Sequence, residues 1–550
     1  PEDGTTNAAG PSTPTTLSRC TGEGGTRTAK RCGRVRAAHP PNVTGDAPAL
    51  TAQRTGLTLP AQPEDTSRMA EARNLLVIMS DEHNPKLLGC AGHPVVATPN
   101  LDALAGRGTR FTAAYTPSPI CVPARGAFHT GQPVHRSRCW DNAIAYDGAM
   151  PGWPQALRAR GHHVIAIGKL HYQGHPGQDD GFSETILPMH ITGGTGDVTM
   201  LIRDPSDVRE TAAKKLLAQA GPGESEYTRY DRRVVEAAER WLREDAPRHA
   251  HKPWVLFVSM VAPHFPLTAP EEHFARYAQA KLPRPKLWDA SPDRRLPHPW
   301  LRGYAHRSDH YRHFRTEADL QRALAGYYGL VSFMDANVGR ILRALEEAGL
   351  GGSTRIAYTS DHGDNLGTRG LWGKCTMYEE SACVPLLLAG PDVPVGVCGT
   401  PVTLCDLSAT ILDAVGAGDA ISELELPGES LLDLAGAPAR DRAALSELHT
   451  YLPDGVFMLR TPRWKYVHYV NAPPQLFDLE RDPEELRDLS GDAAHGDVLR
   501  GMEARLRAML DPEAVDAAAK AAQARMIAAN GGEAAVRARE RAAYTPPPVG

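Results

Sequence analysis

From Asn74 onward, short apolar runs of strand length alternate with amphipathic helical stretches. The runs are "LLVIM" (75–79), "HVIAI" (163–167), "WVLFVSMV" (254–261), "RIAYT" (355–359) and "VPLLLA" (384–389). Unbroken apolar strands need cover on both faces, so the pattern predicts an α/β fold: a large mixed, mostly parallel sheet with helices on both sides. Among the helices, "TPNLDALAGRG" offers Thr98 as N-cap, Pro99 at the first helical position and glycines to end it. Another places Leu320, Leu324, Tyr327, Val331, Met334, Val338, Ile341 and Leu345 at alternating four and three spacing. That is an apolar stripe about seven turns long, read as core.

Beyond about residue 440 the pattern shifts to "VFMLRTPRWKYVHYV" (456–470) and "QLFDLERDPEELRDL", which predicts a small C-terminal antiparallel sheet with a packed helix. The expected division is an N-terminal extension (1–70), a catalytic domain (71–440), a C-terminal subdomain (441–510) and a helical or disordered tail (511–550). The Ala- and Arg-rich tail carries little apolar face, so it reads as a solvated segment or a contact in a homo-oligomer. Residues 1–68 contain no Phe, Trp, Tyr, Ile or Met, which predicts disorder because such a segment buries too little apolar surface to offset chain entropy.

Composition narrows the function. A chain of 550 residues with 41% hydrophobic and 23% charged residues is ordinary globular material. A net charge of -5 provides no basic field for nucleic acid, and no apolar run approaches the roughly 18 residues of a membrane span. The nine cysteines, scattered from Cys20 to Cys405 without a C-x-x-C pair, predict a reducing, cytoplasmic setting rather than a disulfide framework or zinc ribbon.

In open α/β sheets ligands bind beyond the carboxyl ends of the strands, and four apolar runs end in polar clusters. They are Ser80, Asp81, Glu82 and His83; Gly168, Lys169 and His171; His264 in "APHFP"; and Ser360, Asp361, His362, Gly363, Asp364 and Asn365. Each alone has an ordinary structural explanation, but the fold would bring all four to one rim. The carboxylates of Asp81, Glu82 and Asp361 with the imidazole of His362 suit a hard divalent cation (Ca²⁺, Mg²⁺ or Mn²⁺) better than structural zinc. Lys169 and the remaining histidines would then serve an anionic substrate. Separately, Cys121 in "PSPICVPARGAFHTG" (117–131) lies in a Pro-rich loop at a predicted helix start, with Arg125 one turn on, a setting that favours a thiolate or another activated group over inert packing.

The C-x-P-x-R order followed by T-G in "CVPARGAFHTG" resembles the type I sulfatase signature of the alkaline phosphatase superfamily. "NLLVIMSDEHN", "GKLHYQG", "KPWVLFVSMVAPHFPL" and "YTSDHGDNLGTRGLWGKCTMYEESACVPLLLAGP" support it in family order, over about residues 73–490. The resemblance implies an alkaline phosphatase-like sheet and oxidation of Cys121 to formylglycine by a formylglycine-generating enzyme. The hydrate of that aldehyde would attack sulfur, and the resulting sulfated hemiacetal would expel sulfate and return to the aldehyde. It also implies one divalent metal, Ca²⁺ or Mn²⁺, held by Asp81, Asp361, His362 and the modified Cys121, with Glu82 as a further ligand. Arg125 and Lys169 would orient the diol, His171 would take its second hydroxyl proton, and His264 and Lys374 would bind sulfate and assist the leaving oxygen. The site would have to supply on the order of 20 kcal/mol. Asp361-His362 and "WDNA", which contains Asn142, resemble the choline-sulfatase and phosphonate monoester hydrolase branches. Asn142 is therefore expected to bind substrate, and Trp140, Trp372, Tyr378 and Glu379 to flank the pocket. The leading expectation is a hydrolase of small sulfate monoesters. Phosphonate monoester or phosphodiester hydrolysis at the same site is the alternative, and a catalytically silent metal- or anion-binding scaffold the remote one.

Overall fold

A computed structural model of the chain describes residues 71–539 and 545–548; the expected disorder of residues 1–70 lies outside them. Eight strands form the main sheet: β1 (Asn74–Asp81), β2 (Gly108–Phe111), β3 (Val164–Lys169), β4 (Glu184–Met189), β5 (Val255–Pro263), β6 (Thr354–Ser360), β7 (Leu386–Ala389) and β8 (Gly396–Cys398), in the order β8-β2-β7-β6-β1-β5-β3-β4. Only β7 runs against the others. The five apolar runs thus become β1, β3, β5, β6 and β7, as the pattern predicts.

Because strand side chains alternate between faces, β1 feeds two separate cores. Leu76 and Ile78 pack with α3 (Glu226–Arg240) and α4 (Glu317–Glu347) on one side; Leu75, Val77 and Met79 pack with α2 (Cys121–Thr130) and α5 (Leu404–Ala414) on the other. The stripe from Leu320 to Leu345 lies along α4, and all eight of its residues are buried. Each such side chain contributes about 1.5–3 kcal/mol of burial. Thr316 caps α4 by accepting from Asp319 N. At α1 (Pro99–Ala105) the expected cap is replaced: the Thr98 hydroxyl turns to Asp102, and the free N–H groups of Asn100 and Leu101 donate to Asp335 of α4. A carboxylate from a packed neighbour thus satisfies the helix start.

The C-terminal sheet is a four-stranded antiparallel meander, β9 (Ala444–Leu448), β10 (Val456–Arg460), β11 (Trp464–Tyr469) and β12 (Ala472–Asp478). It is covered by Met502 and Leu506 of α6 (Gly496–Met509). The next helix, α7 (Pro512–Ala529), packs one face on the rest of the protein and exposes the other. Val515, Ala519 and Ala522 pack on Ala127, Val134 and Trp140, and Gln523 Nε2 donates to Asp141 and to the His449 carbonyl at 2.6 and 2.7 Å. Alanines bury little area each but allow close approach, which is why α7 shows no strong apolar stripe.

Candidate active site

The carboxyl ends of β1, β3, β5 and β6 meet at one edge of the main sheet. Three departures from regular backbone aim the side chains there. Glu82 and His171 hold left-handed φ values of 68° and 58°, strained for such residues and sustained by the packing around them. Gly168, at φ 104°, lies against β5 so closely that a Cβ would stand 2.1 Å from the Ser259 carbonyl oxygen; only glycine fits where β3 turns Lys169 inward.

Cys121 opens α2 and is buried. Its Sγ lies 3.1 Å from His362 Nε2, 3.1 Å from Lys374 Nζ and 3.7 Å from Asp81 Oδ1. One turn later, Arg125 donates from Nε to Asp361 at 2.8 Å, from Nη2 to Asp81 at 3.1 Å, and from Nη1 to the Lys169 carbonyl and Ser259 Oγ at 2.8 Å each. Lys169 Nζ sits 2.7 Å from Asp81 Oδ2. Glu82 Oε2 accepts from Lys374 Nζ at 3.0 Å and lies 3.2 Å from His264 Nε2. Nine of the expected residues, Asp81, Glu82, Cys121, Arg125, Lys169, His264, Asp361, His362 and Lys374, are thus linked by contacts into one cluster, and Asn142 borders it, its Oδ1 accepting from Val122 N at 3.1 Å; His83 instead bonds Tyr358 and the Leu87 carbonyl.

Burial alone would raise the Asp81 carboxyl, but Lys169, His264 and Arg125 outweigh it and hold it well below the ordinary range. Glu82 goes the other way: burial exceeds the pull of Lys374 and pushes it up to about 8. His171 and His264 are held well below the usual imidazole value, first by burial and then by the lysines, Lys169 for His171 and Lys374 for His264. Burial, reinforced by Asp81, pushes the Cys121 thiol up to about 12. Of the two expected alternatives, a thiolate or another activated group, the thiolate is therefore not favoured: desolvation and the neighbouring carboxylate outweigh Lys374 and Lys169.

Asp81, Cys121, Asp361 and His362 each offer one donor atom, all within 4.8 Å of one another, and Asp81, Glu82 and His264 form a second such set. Glu82 Oε1 is buried with no hydrogen-bond partner. Oxygen-rich donors around an unfilled carboxylate valence fit a hard divalent cation. Glu82 groups with Asp81 and His264 rather than with the Cys121 set, while Lys374 Nζ touches both Glu82 Oε2 and Cys121 Sγ.

A cavity of about 620 Å³ opens above these groups, with Cys121, Asn142, Lys169, His171, His264 and Lys374 among its walls. Both ring nitrogens of His171 lack partners. Of the expected flanking residues Trp372 lines the cavity. Trp140 instead packs under α7; Glu379 is bound to Lys465 and Tyr115 and the Tyr378 ring lies under Arg369, because the segment carrying these two docks on the C-terminal sheet. Sequence reading passed over Ser259, although a serine inside "WVLFVSMV" is a legible polar break. It also passed over Arg539 and Thr545, which line the cavity from the C-terminal segment, with Thr545 O accepting from the Tyr227 hydroxyl at 2.8 Å. No local pattern marks those two.

The sulfatase family profile matches residues 73–417, and that of the N-sulphoglucosamine sulphohydrolase C-terminal region matches residues 367–511. The chain is 34% identical over 470 residues to choline-sulfatase of Rhizobium meliloti (strain 1021), covering 82% of this chain and 90% of that protein. It is 28% identical over 466 residues to arylsulfatase K of Homo sapiens, covering 78% and 81%. The phosphonate monoester hydrolase of Agrobacterium radiobacter shares the fold, with a TM-score of 0.63 at 23% identity over 79% of this chain and 95% of that one.

Proposed function

The chain belongs to the sulfatase family and is a sulfuric ester hydrolase, and we propose that it cleaves small sulfate monoesters using Cys121, converted to formylglycine, as its nucleophilic position. One observation carries this reading: Cys121 sits amid Asp81, His362 and Lys374 while burial keeps its thiol protonated up to about 12. An unmodified thiol there is a poor nucleophile and a poor ligand. The formylglycine hydrate would supply a hydroxyl to attack sulfur and a second one whose deprotonation releases sulfate. Maturation then requires a formylglycine-generating enzyme.

Asp81, Asp361, His362 and the modified Cys121, with Glu82 adjacent, would hold a Ca²⁺ or Mn²⁺ ion. That ion would polarise the sulfuryl oxygens and reduce repulsion between the anionic ester and its nucleophile. Arg125 pins Asp81 and Asp361 in one orientation through its own two donors. Lys169 and Lys374 put positive charge on the cavity floor where sulfate charge must be accepted. His171, neutral and without partners on either nitrogen, takes the proton of the second hydroxyl. His264 and Lys374 stand beside the leaving oxygen and carry its proton or its charge. The compartment we propose is the cytoplasm, on cysteine usage.

The second reading, phosphonate monoester or phosphodiester hydrolysis, draws on the same floor of cations, since any tetrahedral anion meets the same groups. Mass spectrometry of the tryptic peptide bearing Cys121, from protein made with the maturation enzyme, is expected to show formylglycine; an unmodified thiol together with no turnover would favour a silent scaffold. On the modified protein, kcat/KM is expected to be highest for an aryl sulfate. A preference of several orders of magnitude for a phenyl phosphonate would establish the second reading instead.

A further inference from the structure

Helix α3 carries a buried carboxylate that the chemistry above does not use. Asp231 is fully buried, and its two oxygens accept the backbone N–H groups of Val261 and Ala262 at 2.8 Å each. Those N–H groups lie where β5 leaves register with β1: Met79 pairs with Ser259, but Asp81 pairs with Pro263. Over that step β5 spends two more residues than β1. Extra residues in a strand lose their ladder partners, and buried N–H groups left without acceptors are costly. Asp231 supplies both acceptors from the helix behind the sheet.

The same interval sets two groups of the site. Ser259, just before it, accepts from Arg125 Nη1 at 2.8 Å. His264, just after it, donates its backbone N–H to Val261 O at 3.0 Å and brings Nε2 to 3.2 Å from Glu82 Oε2. The imidazole thus hangs from a loop whose two free N–H groups are both tied to one carboxylate.

We propose that Asp231 is a positioning residue, fixing His264 against the leaving oxygen by holding the bulged end of β5. The inference rests on the role given to His264 above. A carboxylate that only stabilised the fold would reduce the yield of folded enzyme and lower the rate on every substrate in the same proportion. One that positions a group assisting the leaving oxygen affects poor leaving groups most, because those need the assistance.

The test compares kcat on 4-nitrophenyl sulfate and on an unactivated alkyl sulfate for the full-length, modified enzyme and for Asp231→Asn, His264→Ala and the double variant. Asparagine keeps the shape but turns one acceptor into a donor, so one N–H group loses its partner. The ratio of the two kcat values does not depend on how much of a preparation is folded. Asp231→Asn is expected to lower kcat about tenfold more on the alkyl than on the aryl ester, with KM within about twofold. The double variant is expected to fall within about twofold of His264→Ala alone. Equal losses on both esters, or losses that multiply in the double variant while His264→Ala is itself impaired, would overturn the assignment of Asp231. Undiminished rates in His264→Ala would overturn the role of His264, and with it this one.

Discussion

At the rim of the main sheet, Asp81, Arg125, Lys169, Asp361 and Lys374 are buried together; between that sheet and the C-terminal one, Arg460, Lys465 and Glu485 are buried together against a half-buried Glu379. In the second cluster Lys465 Nζ lies 2.8 Å from both Glu379 and Glu485. The Tyr115 hydroxyl donates to Glu379 and accepts from Arg460 Nε, each at 2.9 Å. Its valences are nearly closed, with only Arg460 Nη1 lacking a partner. The rim cluster is left open: Glu82 Oε1 and both nitrogens of His171 have none, and a cavity of about 620 Å³ adjoins it. Buried charge in itself is compatible with a purely structural joint. Unfilled hydrogen-bonding capacity beside a cavity is what separates a site from a joint.

Substitutions in the two clusters should therefore fail in different ways. Cys121→Ala should lower turnover of an aryl sulfate by at least about 10⁴-fold with little change in Tm; substantial residual rate would mean the rim is not organised around this side chain. Removing divalent cations with a chelator should lower activity by more than about 100-fold, reversed by Ca²⁺ or Mn²⁺. The stripped protein also has a pH signature. Glu82 is raised to about 8 in the folded chain, so its contribution is present below the ordinary carboxylate range and is lost as pH rises through about 8. Tm of the stripped protein should fall over that window, and bound cation should flatten the slope. A slope unaffected by the metal would place Glu82 outside the ion's reach.

Lys465→Met should do the reverse of Cys121→Ala. It strands Glu379 and Glu485, so unfolding free energy should drop by about 3–5 kcal/mol in denaturant titration, with kcat within about twofold of the parent. A collapse of kcat in a folded Lys465→Met protein would erase the contrast between the clusters. The smallest effect is expected from Asn142→Ala, which removes the acceptor for Val122 N beside Cys121. A loss of about 1 kcal/mol, some fivefold in kcat/KM, should appear with Tm nearly unchanged.

Much of this was legible along the chain. The five apolar runs are five strands, and the polar residues that follow four of them form the rim, because strand ends in a parallel sheet share one edge. The stripe from Leu320 to Leu345 is buried because helical periodicity and burial are the same geometry. The readings that failed depended on contacts distant in sequence. Of the two alternatives that the helix start and Arg125 offer Cys121, a thiolate or another activated group, Asp81, 40 positions away, and full desolvation disfavour the thiolate. Tyr378 and Glu379 are expected to flank the pocket, yet Glu379 turns to Lys465, 86 positions on.

The sequence by itself determined which residue types gather at the strand ends and that they suit a hard cation and an anionic ester, because periodicity and side-chain chemistry are local properties. Only the tertiary structure decided which buried charges are closed upon one another and which are left open, how α7 finds its place without a strong apolar stripe, and that Asp231 ties the end of β5 from the helix behind it. Those outcomes depend on distances between segments far apart in the chain, and solvation and hydrogen-bond completion are set by such distances rather than by composition.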